Sequence, residues 1–423
     1  MKKLFIIEEG VSNVISYWLL AGFLVMLPFD FFYSEIILAC FAVHTLIHFK
    51  REYLRNLFRR QILWLISIYL IGIISVLYSP DKLEGLNIAT RQLAILLFPV
   101  LLACNGLHLE KYKLHFISFF ILTCTCAIMY LYFDAIHTLV YFHFPFSKLF
   151  TLAFMNHNFS LPIEMHATYL SLYVAFSVIA LTYLWVMGKG KVKGWKLIYP
   201  LCMLILTMGL LQLSSRAVFI GLLIVMNIVF PFVVIDGNRR KRFLSISLLS
   251  SAIILLGILS IDSFKTRYIS ELKKDLSQRA DLVEINESRM ARWNAIFALI
   301  RRSPVIGYGM GGEKKLLKEK YFQEKLYTAY LNEFNTHNEY LSFLLKNGIF
   351  GLAIFIFVLY QGFAASWRRR DPLFISFMIL ISIICISENL LDLNKGIFFY
   401  SFFFSLFLIG DSTAGYENKG IAL

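Results

Sequence analysis

The chain has 423 residues, of which 58% are hydrophobic and 16% charged, with 41 Phe and 22 Tyr and a formal net charge of +14. Such a composition is too apolar for an ordinary soluble domain, and its aromatic load suits lipid-facing helices better than the Gly-rich alternation of an outer-membrane barrel. The positive charge raises a nucleic-acid partner as a reading, which its distribution along the chain excludes below.

The opening "MKKLFIIEEG" starts basic, but Glu8 and Glu9 interrupt its apolar run, so we expect no cleavable signal and a cytoplasmic N-terminus. Apolar runs long enough to cross roughly 30 Å of hydrocarbon then recur along the chain. About twelve spans are expected, near 12–32, 34–49, 62–79, 91–107, 115–134, 164–187, 197–214, 216–235, 243–261, 338–363, 373–391 and 396–411. The basic stretches "KREYLRNLFRR" (50–60), "GKGKVKGWK" (188–196), "DGNRRKR" (236–242) and "WRRRDP" (367–372) fall in alternate loops. By the positive-inside rule these loops and both termini are cytoplasmic. The charge is therefore topogenic, and no nucleic-acid partner is expected. All six cysteines lie in apolar runs and read as small buried hydrophobes, with no metal or redox role.

The other face of the membrane keeps "SPDKLEGLNIATRQ" (79–92), a loop over 135–163 and one long segment over 262–337. The expected division is spans 1–9 over 1–261, the loop with amphipathic helices over 262–337, and spans 10–12 with a cytoplasmic tail over 338–423. Within the loop, Met290, Trp293, Ile296, Phe297 and Ile300 recur at helical spacing, which predicts an amphipathic helix from about 288 until Pro304 ends it. "IGYGMGG" (306–312) lacks the Lys-Ser/Thr of a phosphate loop and follows a helix, so it reads as a flexible turn. There is no internal repeat, and the single large loop is asymmetric, which weighs against a transporter.

Charged groups at the membrane mark the chemistry. Arg216, in "LLQLSSRAVFIGLL", stands between two apolar runs with almost no loop. An arginine within the membrane costs roughly 2.5–3.5 kcal/mol even on lenient scales, so it is either snorkelling or holding an anion. Guanidinium suits phosphate because it binds two oxygens at once and stays charged. Arg289 and Arg292 are three residues apart on the loop helix and suit a phosphate at the bilayer edge; the bland alternative is a solvated face. His337, in "NEFNTHNEYLSFLLKNGIFG", stands at or near the N-cap of the tenth span, with Asn338 beside it. A neutral imidazole there can take a proton from a sugar hydroxyl, a step worth typically 10²- to 10⁴-fold in rate; the alternative is a capping histidine. His166 opens the sixth span and Arg91 starts the fourth, both on the same face and both further candidate contacts. Glu388, in "ISENLLDLNKG", reads as an acid inside a span that neutralises an arginine of the site. No Asp-x-Asp motif lies in a soluble loop to hold a metal-bound nucleotide sugar, so the donor is expected to be lipid-linked and the leaving diphosphate held by arginines.

Taken in order, "SSR" before a span, "SRMARW" and "SPVIGYG" in the loop, and "THNEYLSFLLKNGIFG" after it resemble the O-antigen ligase and polymerase family. The topology resembles the family along nearly the whole chain, the motifs from about 210 to 351. The resemblance implies an all-α integral membrane glycosyltransferase of GT-C type in a bacterial inner membrane, with its large periplasmic loop between spans 9 and 10. It implies a metal-independent, inverting transfer, without a cofactor, from undecaprenyl diphosphate-linked glycan. Arg216 and Arg289 would bind the diphosphate, with Arg91 a looser match. His337 would be the base, while Arg292, His166, Asn338 and Glu388 remain further candidate contacts. The favoured acceptor is lipid A-core, making a ligase; a polymerase joining repeat units on the carrier is the alternative, and a polyprenyl-glycan flippase a third reading. A flippase needs basic residues lining a path to both faces, whereas Arg91, Arg216, Arg289 and His337 all map to one.

Overall fold

The computed structural model describes residues 7–188, 195–235, 237–276 and 287–410, and these are helical with no strand. The start of "MKKLFIIEEG", most of the "GKGKVKGWK" loop, Asp236 and the expected cytoplasmic tail after 410 lie outside the described residues. Among the described residues six helices are long and apolar enough to cross a membrane: Lys82–Ala103, Leu109–Tyr141, Ala167–Val186, Arg216–Val234, Asn238–Ser260 and Glu339–Arg368. A seventh candidate is the bent pair Phe31–Ile47 and Arg51–Leu57, and shorter apolar helices occupy Val11–Met26, Arg60–Val76, Leu197–Leu213, Pro372–Ile384 and Asn394–Gly410.

The elements that build the site are α1 (Lys82–Arg91), α2 (Ala167–Val186), α3 (Arg216–Ile224, continued by a π-helical turn to Val234), α4 (Asn238–Ser260), α5 (Glu271–Asp275), α6 (Arg289–Ile300), α7 (Glu313–Gln323), α8 (Glu339–Arg368), α9 (Pro372–Ile384) and α10 (Asn394–Gly410). Polar residues start them: Asp81, Ser288, Asn338 and Asp371 each accept a backbone N–H of the first turn, and Pro372 follows Asp371 at the position where its missing N–H costs nothing. At the centre, α2 is buried along almost its whole length, and Phe176 packs on Phe399 and Phe403 of α10 with ring centroids 5.6 and 4.9 Å apart. By contrast α4 buries little of its apolar surface within the protein, as suits a lipid-facing helix.

Several expectations change. The fourth span does not begin near 91, because Asp81 caps a helix that already runs from Lys82 through most of the expected loop. The eleventh is shorter than 373–391, since α9 ends at Ile384 and residues 385–393 form a non-helical strap before α10. Of the six cysteines, Cys40 and Cys126 lie on the outside of the bundle and the other four are buried.

The segment expected as a flexible turn is pinned instead. At Gly348, α8 breaks with φ +62°, and the chain over 304–309 docks into the break. Ile349 N–H donates to the Pro304 carbonyl (2.9 Å), while Tyr308 and Gly309 N–H donate to the carbonyls of Leu345 and Lys346 (2.9 and 2.8 Å). Backbone groups that the kink leaves without helical partners are thus satisfied by the loop. Met310 and Gly311 N–H then donate to the hydroxyls of Ser75 and Ser79. A Cβ on Gly348 would stand 2.1 Å from the Val305 carbonyl oxygen, so only glycine fits both the approach and the positive φ.

Candidate active site

Helix α6 starts at Arg289 as the spacing predicts, with Ser288 as its cap, and ends at Ile300 before Pro304. Its buried face carries Arg292, Ala295, Ile296, Leu299 and Ile300, whereas Phe297 of the expected stripe is exposed. Trp293 Nε1–H donates to the Thr336 carbonyl at 3.0 Å, which ties α6 to the turn that carries His337.

Arg216 and Arg289 line one cleft of about 400 Å³ together with Glu388 and Arg267. Both expected arginines are the first residue of a helix, so each adds its charge to a positive helix end. Arg216 Nη2 donates to Asp275 Oδ2 at 2.5 Å, and Arg289 Nη1 donates to the Ser387 carbonyl at 3.0 Å. Arg267 donates to Glu271. Arg216 Nη1, Arg267 Nε and Arg289 Nε are buried with no hydrogen-bond acceptor among the described residues. Such orphaned donors cost about 1–3 kcal/mol each, which an anion would relieve. Ile220, Ile224, Leu272, Leu276, Ile383 and Ile386 form the apolar remainder of the wall. Charge at one end and hydrocarbon along the side match an amphiphilic anion.

His337 sits one residue before the cap, not at it: Asn338 caps α8 through Leu341 N–H. His337 itself takes φ +45°, a left-handed conformation rare for a side-chain-bearing residue, and is held there from both sides. The Asn389 side-chain oxygen accepts from Thr336 Oγ1 and from Asn338 N–H, each at 2.8 Å. The neighbouring Glu388 places Oε2 3.2 Å from His337 Nδ1, and its Oε1 accepts from Thr168 Oγ1 at 3.4 Å. Glu388 is thus not inside a helix but on the strap, and its hydrogen-bonding partners are His337 and Thr168, with the arginines as cleft neighbours. Burial pushes the Glu388 carboxyl up, but the hydrogen bond from His337, the charge of Arg289 and the charges that His337 and His166 carry when protonated outweigh this and hold it below its usual range. With Nδ1–H given to Glu388, the imidazole presents Nε2 as a base, the division of labour seen in carboxylate-oriented histidines generally.

A buried ion network fixes the strap. Lys346 Nζ lies 2.8 Å from both Glu313 of α7 and Asp392, Ser342 donates to Glu313, and Asn389 donates to Asp392. Loop helix, broken span and strap are locked together behind His337.

His337 and Asn338 reach the cleft only through Glu388 and the strap, and the remaining predicted residues also stand outside its wall. Arg292 is buried with its guanidinium 4.9 Å above the Phe334 ring, and burial beside Arg289 pushes its pKa down. Arg91 is exposed and donates to the Asp392 carbonyl, so it meets the strap rather than the cleft. His166 caps α2, its Nδ1 accepting from Thr168 N–H, and burial pushes it down to about 4. It packs edge-on to His157 with ring centroids 4.2 Å apart. Among the described residues no three His, Cys, Asp or Glu side chains are grouped to hold a metal. Sequence reasoning missed Arg267, Asp275, Thr168 and Asn389. For Arg267 a signal existed: Phe264 and Tyr268, four apart, pack with Phe219 and Ile258 and so anchor that stretch to the bundle instead of to water.

An all-helical membrane protein with an arginine-lined, half-apolar cleft beside a carboxylate-held histidine is the class these elements define. A family model described as O-antigen ligase matches residues 201–356, which include Arg216, Arg289 and His337, so this part of the chain is similar to that family. Proteins of this family are glycosyltransferase-like enzymes of O-antigen processing. No curated protein matches the chain.

Proposed function

We propose that the protein is an O-antigen ligase, transferring glycan from undecaprenyl diphosphate to a sugar hydroxyl of lipid A-core at the periplasmic face of a bacterial inner membrane. In this reading the helices form about twelve spans in a GT-C arrangement, the 262–337 segment is the periplasmic loop, and both termini are cytoplasmic.

The observation that carries the proposal is the meeting at Glu388 of two functions: it lines the cleft that holds Arg216 and Arg289, and it orients His337. The diphosphate lies on the guanidiniums, the polyprenyl chain along the isoleucine and leucine wall, and the glycosidic carbon toward His337. The acceptor hydroxyl gives its proton to His337 Nε2 as its oxygen attacks the anomeric carbon from the face opposite the diphosphate. The bond to the phosphate oxygen breaks, with inversion, and the charge that develops there falls on Arg216 and Arg289, so arginines do the work that a metal does elsewhere. Glu388 stabilises the imidazolium formed on His337.

The test uses purified protein in lipid with undecaprenyl diphosphate-linked glycan, with and without lipid A-core. Glycan on lipid A-core, lost in His337→Ala and in Arg216→Ala, is the expected result. A ladder lengthening on the carrier without lipid A-core makes the protein a polymerase with the same donor chemistry. No transfer to either overturns the reading.

A further inference from the structure

We propose that Glu271 and Asp275 hold the places of the donor's two phosphate charges, and that the diphosphate displaces them from Arg267 and Arg216 on binding. The inference rests on the donor assigned above. Glu271 and Asp275 are four residues apart and so share a face of α5; one pairs with Arg267 and the other with Arg216. The same short helix sends Leu272 into the cleft wall, followed by Leu276. Both guanidiniums that α5 engages keep a buried N–H without an acceptor. The carboxylates therefore satisfy the two arginines only in part, leaving donors that a phosphate, with more oxygens, can take up.

Charge balance says why an exchange is needed rather than an addition. Arg216, Arg267 and Arg289 face Asp275, Glu271 and Glu388, three positive groups against three negative. A diphosphate diester brings two further negative charges to a partly desolvated site, and close like charges repel. Releasing Glu271 and Asp275 restores the balance, and because α5 closes a continuous helical run from Asp262 that also carries Arg267, the exchange is a turn of the two carboxylate side chains away from the guanidiniums, with the helix left in place. Arg267 becomes a third diphosphate-binding residue. The exchange also supplies selectivity: a polyprenyl monophosphate offers one phosphate group, too few to free both arginines, so the diphosphate donor is distinguished from the monophosphate carrier.

Binding of undecaprenyl diphosphate and undecaprenyl phosphate to the full chain in nanodiscs tests this, using wild type, Asp275→Asn, Glu271→Gln and Arg267→Gln, each checked for an unchanged melting temperature. Removing a competing carboxylate is expected to tighten diphosphate binding about three- to tenfold in each neutralised variant and to narrow the preference over monophosphate. Arg267→Gln is expected to weaken diphosphate binding by a similar factor. Weaker or unchanged binding in both folded neutralised variants would make the carboxylates mere supports for the arginines and overturn the exchange. Wild-type protein that binds neither lipid overturns the donor reading itself, whatever the variants do.

Discussion

Replacing Glu388 by Gln isolates what its charge does. The glutamine carbonyl oxygen can still accept from His337 Nδ1–H across the 3.2 Å gap, so ring orientation and tautomer survive while the charge is lost. In the proposed mechanism His337 takes the acceptor's proton, and an imidazolium forms beside the carboxylate. Two unit charges about 4 Å apart at an effective dielectric of about 20 attract by about 4 kcal/mol. Both side chains are part-exposed, and solvent reduces this to about 2–3 kcal/mol, the range of hydrogen bonds to charged groups. At about 1.4 kcal/mol per decade, kcat should fall about 10²-fold. KM for the donor should not rise, because the arginines are untouched and one negative charge of the cleft is gone. Glu388→Ala also removes the acceptor that fixes the tautomer and should fall further, by about 10³-fold. The assay is initial-rate transfer from labelled donor, with melting curves to confirm folding. A folded Glu388→Gln enzyme within threefold of wild-type kcat refutes the stabilisation of the imidazolium by the Glu388 charge, and a Glu388→Ala enzyme that does no worse refutes the orienting role; an intact kcat with a raised donor KM makes Glu388 a binding residue instead.

Lys346→Met leaves Glu313 and Asp392 facing each other without their shared cation, and should destabilise the protein by about 3–5 kcal/mol, read as a large drop in melting temperature in detergent. Gly348→Ala combines a left-handed backbone with a Cβ 2.1 Å from the Val305 oxygen; it should cost at least about 1–3 kcal/mol, and a wild-type melting temperature would contradict the docking of 304–309. His166, pushed down to about 4 by burial, is neutral in the folded protein at pH 7, while an unfolded chain takes up a proton below about 6.5. Its stabilising contribution is therefore complete above that pH and declines as pH falls toward 4. His166→Asn keeps the cap and should flatten the loss of melting temperature between pH 7.5 and 5; an unchanged slope assigns that loss to other groups.

Three residues of the candidate site were legible for one reason: each breaks a local pattern. Arg216 interrupts two apolar runs, Arg289 opens an amphipathic helix, and His337 marks the change from polar loop to span. Arg267 breaks no pattern, lying in the mixed charges of "FKTRYISELKK", and its place in the cleft comes from Phe264 and Tyr268 packing on the bundle. Arg292 has helical spacing from Arg289, yet it turns under Phe334 because α6 is rotated from the expected stripe.

The sequence alone determined that the chain is helical and membrane-bound, where most apolar helices lie, and which charged groups stand at their ends. Local composition suffices there, because burying hydrocarbon and exposing charge are costs that each segment meets by itself. Only the tertiary structure decided that Glu388 belongs to His337, 51 residues away, that Asn389 clamps the turn carrying His337, and that Asp275 and Glu271 occupy the cleft arginines. Those pairings depend on how the strap, the broken span and the loop helices pack, and a polar side chain's partner is set by proximity in space, which no spacing along the chain records.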